Sequence, residues 1–209
     1  MTLLLQCLEW LWRDRSDFYA SGNLTVYYSP NQRRSEDLSP AETLRERGPD
    51  FFVVLGVERR PRKSWVVWGK DGEYPHVVVE ILSESTAGTD RGLKKQIYQD
   101  TFRTIEYFWF DPNSLEFVGS ELVAGQYQPK QSSEQGWFWS HQLQLFLGIQ
   151  GRQLRFFTAA GELVPTPAEA ALIEQQRADR AEQQQQAAET HSAKLAAKLR
   201  ELGVDPETL

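Results

Sequence analysis

The chain has 209 residues, 40% of them hydrophobic and seven of them tryptophan, enough for one cored domain plus an appendage. A net charge of −6 speaks against a protein that coats nucleic acid non-specifically, so any nucleic-acid contact must come from a local patch, a partner or a dimer groove. Cys7 is the only cysteine, which excludes an internal disulfide and a cysteine metal cluster and fits a reducing cytoplasm, and with no run of 18 apolar residues no transmembrane helix is expected.

In chain order, residues 3–15 read as an amphipathic helix, with Leu4, Leu8, Leu11 and Trp12 at helical spacing. The stretch lacks a basic leader and is interrupted by Glu9, Arg13 and Asp14, so it does not read as a signal peptide. Ser21-Gly22 breaks the chain, and Asn23–Tyr28 reads as a strand. Pro40–Arg47 suits a short helix capped by Ser39 with Pro40 at its first position. Gly48-Pro49 then resets the backbone, because the residue before proline avoids the helical region.

Residues 48–111 organise the rest. Phe51–Leu55, Val77–Leu82 and Glu106–Phe110 are near-continuous apolar runs, which predicts strands covered on both faces. Between the first two lie Arg59-Arg60-Pro61-Arg62-Lys63, the densest positive cluster in the chain, and Ser64–Trp68, a short strand. The cluster reads as a solvated hairpin loop or as a phosphate-contacting loop through Arg59, Arg60, Arg62 and Lys63. Ser83–Thr89 is a polar crossover rich in cap formers, leading into a helix through Tyr98.

Two of the apolar runs carry a carboxylate. Asp50 opens the first and Glu80 lies near the end of the second. If these strands pair antiparallel, the carboxylates lie side by side. Two like charges so placed repel unless a cation sits between them. A hard divalent ion fits, since Mg²⁺ binds one or two carboxylates together with waters and phosphate oxygens. Asp90, Lys94 and Tyr98 are spaced to share a helix face, which brings an ammonium to the same place. His76 precedes its strand and reads as a turn residue, and His141 and His191 show no ligand spacing.

Further on, Asp111-Pro112-Asn113 is a turn, Leu115–Leu122 and Gln126–Pro129 form a hairpin around Ala124-Gly125, and Leu154–Phe157 is a closing strand. Trp137 and Trp139 read as packing or interface aromatics. Pro165-Thr166-Pro167 marks a boundary, dividing the chain into residues 1–164 and an Ala/Gln/Glu-rich tail, 165–209. The tail suits a helix of about 50 Å. A weak seam through Ala171, Ala178, Ala181, Ala188, Leu195, Leu199 and Leu202 allows a two-stranded coiled coil.

Pro49-Asp50, Glu80 and the lysine beyond it resemble the PD-(D/E)XK nuclease superfamily. The longer string is more specific: Val79-Glu80-Ile81-Leu82-Ser83-x-Ser85-Thr86, then Asp90-x-x-x-Lys94-x-x-x-Tyr98, then Glu106-Tyr107-x-Trp109-x-Asp111. It is similar to the putative restriction endonuclease family, long classed as a domain of unknown function, over roughly residues 20–160. The tail resembles an extension on one branch of that family.

This resemblance implies an α/β (α+β) restriction-endonuclease-like fold, a mixed central sheet flanked by helices, here with a long C-terminal helix. It implies hydrolysis of DNA phosphodiesters with Mg²⁺ or Mn²⁺. A homodimer, a cytoplasmic location and no membrane association are further expectations. Carried over, Asp50, Glu80 and the main-chain carbonyl of Ile81 would hold the ion, and Asp50, Glu80 and Lys94 would form the catalytic set. The sequence departs from the superfamily at Leu82, where Glu-x-Lys is usual; the lysine role then passes to Lys94, with Lys95 as the fallback. A further acidic ligand could be Glu9, Glu36 or Asp37. The competing expectation is a non-catalytic binding or assembly module on the same fold, and a weaker one is hydrolysis of RNA or another phosphodiester. Replacing Asp50 or Lys94 by alanine is expected to abolish metal-dependent nicking without unfolding the chain.

Overall fold

The computed structural model describes residues 2–29, 48–69, 72–83 and 90–201. The runs of Val, Phe and Tyr give a mixed six-stranded sheet. Its strands are β1 (Phe18–Gly22), β3 (Phe51–Leu55), β5 (Val77–Ile81), β6 (Glu106–Phe110), β7 (Phe117–Val123) and β8 (Gln126–Pro129), hydrogen-bonded in that order. Only β5 and β6 run parallel; every other neighbouring pair is antiparallel. A three-stranded sheet holds β9 (Phe138–Ser140), β10 (Leu145–Gln150) and β11 (Gln153–Phe157), and a parallel pair joins β2 (Val26–Tyr27) to β4 (Trp65–Val66). With few helices and a mixed sheet, this is the α+β architecture that the resemblance implied.

Side chains alternate across each strand, so the central sheet has two apolar faces. Phe51, Val53, Val77, Val79, Phe108 and Phe110 pack on one side against α1 (Thr2–Leu11) and the three-stranded sheet. Leu4, Cys7 and Leu8 supply the buried stripe of α1. Phe52, Val54, Val78, Tyr107 and Trp109 pack on the other side against Trp65 and helix α2 (residues 90–102), through Tyr98 and Phe102. This double covering is why the strands β3, β5 and β6 read as continuous apolar runs.

Helix α2 departs from the expected geometry. It is wound wide, with π-type turns over Asp90–Lys94 and Ile97–Phe102, and runs one turn beyond Tyr98. Arg103, left-handed at φ 51°, ends it by donating its N–H to the Tyr98 carbonyl.

Several strand boundaries also moved. The strand expected over Asn23–Tyr28 is only Val26–Tyr27, and Ser64–Trp68 contributes only Trp65–Val66. β1 was not foreseen; it is short, lies at the sheet edge and has no alternating pattern. β7 starts at Phe117 because Leu115 sits at φ 61° in the Asp111 turn. The Ala124-Gly125 hairpin is as read, with both residues at positive φ, which matches the twist of the flanking strands. The helix expected over Pro40–Arg47 lies outside the described residues, as do most of Ser83–Thr89 and the acidic residues Glu36 and Asp37.

The chain divides into two units, Met1–Pro165 and Thr166–Leu209. The second is α3 (Pro167–Glu201), opened by a capping box: Thr166 N–H donates to Glu169 Oε2 at 2.7 Å and Glu169 N–H to Thr166 Oγ1 at 3.2 Å. Among the described residues, no helix is long and apolar enough to cross a membrane.

Candidate active site

β3 and β5 pair antiparallel with Phe51 opposite Val79, which carries Asp50 to the position opposite Glu80. Strand alternation then decides where the carboxylates point. Asp50 has the parity of Phe52 and Val54, and Glu80 that of Val78, so both face α2. The two residues clamp each other through the backbone. Ile81 N–H donates to Asp50 Oδ2 at 2.8 Å, and Asp50 N–H donates to Glu80 Oε2 at 3.3 Å.

α2 brings the remaining groups. Lys94 Nζ lies 3.1 Å from Glu80 Oε1, and Tyr98 Oη donates to the same oxygen at 2.5 Å. Glu80 is fully buried and Lys94 and Tyr98 nearly so, whereas Asp50 is half-buried. A buried carboxylate costs several kcal/mol in desolvation unless a charge and hydrogen bonds compensate it. Glu80 has both. Among the described residues two carboxylates face one ammonium here, and Asp50 is the less buried of the two carboxylates. The two carboxylates are hard oxygen donors of the kind Mg²⁺ or Mn²⁺ takes together with waters. No cluster of three or more His, Cys, Asp or Glu side chains fit for a metal occurs among the described residues.

The structure thus brings Asp50, Glu80, Lys94 and Ile81 together. Leu82, on the face of Glu80, is buried in the apolar cluster with Tyr98, so no cation arrives from that position. Lys95 is half-exposed on another side of α2. Glu9 stands 3.9 Å from Arg59, beyond the end of β3 opposite to Asp50. His76 Nδ1 accepts the Leu55 N–H at 3.2 Å, four residues upstream of Glu80. Burial holds its pKa below the usual histidine value, with Glu73 partly opposing.

The basic cluster follows β3, whereas Asp50 precedes it, so the two lie at opposite ends of one strand. Arg59 is spent on structure: its Nη1 donates to the carbonyls of Trp12, Arg13 and Arg15 at the end of α1. Arg62 lies over the rings of Tyr19 and Trp65.

One buried charge cluster escaped the sequence reading. Glu106 has the parity of Phe108 and so points away from α2, toward the three-stranded sheet. It accepts from Lys130 Nζ at 2.8 Å, His141 N–H at 2.8 Å and Ser140 Oγ, tying β6 to the chain after β9. Partners 24 and 34 residues distant leave no local signal.

A family model described as Uma2, "Putative restriction endonuclease", matches residues 1–160. No protein of curated function matches the chain. Among solved structures, a "putative nuclease belonging to DUF820" from Anabaena variabilis ATCC 29413 is similar, at 14% identity and TM-score 0.38, over 79% of this chain and 68% of that one.

Proposed function

The chain belongs to the Uma2 family of putative restriction endonucleases, and from that premise we propose that it is a metal-dependent endonuclease that hydrolyses DNA phosphodiester bonds. The observation that carries this reading is the shared use of Glu80 Oε1 by Lys94 and Tyr98 beside Asp50, a carboxylate corner with an ammonium built into it. Asp50, Glu80 and the Ile81 carbonyl would hold Mg²⁺ or Mn²⁺. The ion, when bound, supplies a Lewis acid for a phosphoryl oxygen and a more acidic water. Lys94 would position the attacking water or offset charge growing on the phosphoryl oxygens. Tyr98 and Lys94 fix the Glu80 carboxylate, so little reorganisation is needed when substrate arrives. Two copies pairing along α3 would supply the homodimer suggested by its Ala/Leu seam.

Supercoiled plasmid with Mg²⁺ or Mn²⁺ tests this reading. Nicking by the parent chain and its loss by at least a hundredfold in Asp50→Asn, with folding retained, is the expected result. Undiminished nicking by Asp50→Asn removes the catalytic assignment. The second reading is a non-catalytic module. It is favoured by the number of Glu80 and Asp50 oxygens already engaged within the protein, and absence of nicking by a well-folded parent chain with either ion would support it.

A further inference from the structure

The basic loop and the turn after it form a second surface that the carboxylate corner does not use. A groove of about 340 Å³ runs between Arg60–Lys63 and the segment Ser64–Val66 with Gly69. Its size falls at the lower end of small-ligand sites. Four cations and one carboxylate lie between Glu58 and Lys63 in a chain of net charge −6, so this is a concentrated positive spot on an acidic protein.

The groove is held in shape. Arg62 Nη2 donates to the Glu58 carbonyl at 3.0 Å and its Nη1 to the Arg60 carbonyl at 3.2 Å, while its guanidinium lies 4.7 Å from the Tyr19 ring centre and 4.8 Å from that of Trp65. On the other wall, Trp65 Nε1 donates to the Glu73 carbonyl at 2.8 Å, and Gly69 N–H closes a turn onto Val66 at 3.1 Å. Arg60 and Lys63, both exposed, line the groove; Arg60 lies 3.6 Å from Glu58, and Lys63 makes no ion pair among the described residues. The turn carries an independent signal. Trp68, between groove residues Val66 and Gly69, is 49% exposed, whereas Trp65 three residues earlier is 1% exposed. Trp68 does not itself line the groove, but it stands in the same short turn as two residues that do, and half of its indole is open to solvent. Its flat face can stack on a base, and only an unpaired base offers one.

We propose that this groove is a single-strand nucleic-acid subsite, in which Arg60 and Lys63 hold backbone phosphates and Trp68 stacks on an unpaired base. It rests on the nuclease reading only for the expectation that nucleic acid reaches this protein.

The test is binding without cleavage. Fluorescence anisotropy of a labelled 15-nucleotide oligothymidine is measured with the full chain in EDTA, across a salt series. The expected results are that Trp68→Ala weakens binding about tenfold or more at unchanged salt slope, and that Trp68→Phe restores most of it. Arg60→Ala with Lys63→Ala should lower the slope by about 0.7 per lost contact. Binding is read in EDTA without any cleavage, so a failure of the catalytic reading leaves this outcome untouched. Parent-like binding by both the Trp68→Ala and the Arg60→Ala/Lys63→Ala variants, each folded by circular dichroism, overturns the proposal. So does equal loss for single strands and duplex from the cation variant with no effect of Trp68→Ala, which would mark a backbone-only patch.

Discussion

Glu80 is the residue whose surroundings are most demanding. It is fully buried, and its charge is met by Lys94 at 3.1 Å and the Tyr98 hydroxyl at 2.5 Å. Removing one partner of a buried pair leaves the other charge stranded, at about 3–5 kcal/mol. Lys94→Met should therefore lower unfolding stability by that order in urea titrations. Adding Glu80→Gln to Lys94→Met should recover much of the loss, since no unpaired charge remains, yet restore no nicking. His76 acts by a different route. Its Nδ1 accepts the Leu55 N–H, and burial lowers its pKa from 6.5. Below pH 6.5 the unfolded chain takes up a proton that the folded chain resists. The contribution is thus present above pH 6.5 and is lost as pH falls toward the folded value. Unfolding free energy measured at pH 7.5 and pH 5.0 should fall less in His76→Gln than in the parent; an equal fall in both would contradict this.

At the scale of elements, what the sequence disclosed follows from how local each signal was. β3, β5 and β6 were legible because burial on both faces leaves unbroken apolar runs. The antiparallel pairing of β3 with β5, which sets Asp50 opposite Glu80, was only a condition at the level of sequence, and the register of Phe51 against Val79 supplies it. The face of α2 was legible too, since Lys94 and Tyr98 reach one oxygen, but its wide winding was not. No residue in Asp90–Phe102 announces π-type turns, which arise where packing demands an extra residue per turn. The Glu106 cluster was hidden for the reason already given, its partners being brought near only by the fold. The role of Arg59 was equally non-local: it is bonded to carbonyls more than forty residues upstream. Gly48 shows a backbone constraint invisible in sequence. A Cβ there would stand 1.6 Å from the Leu24 carbonyl oxygen, so only glycine allows the approach that leads into Asp50.

At the scale of the whole molecule, the first unit carries the sheet and the carboxylate corner, and the second is a single capped helix with exposed Leu172, Ile173 and Leu195. A helix polar around most of its surface gains little from burial by itself. If α3 pairs two copies, the full chain should sediment as a dimer and a chain ending at Pro165 as a monomer; an identical state for both would rule that pairing out. The central claim concerns the corner itself, and calorimetric titration with Mn²⁺ tests it most directly. One ion bound per chain by the parent, with binding lost in Asp50→Asn at unchanged fold, is the predicted result. Heat-silent titration of the parent, or full binding by Asp50→Asn, would contradict it.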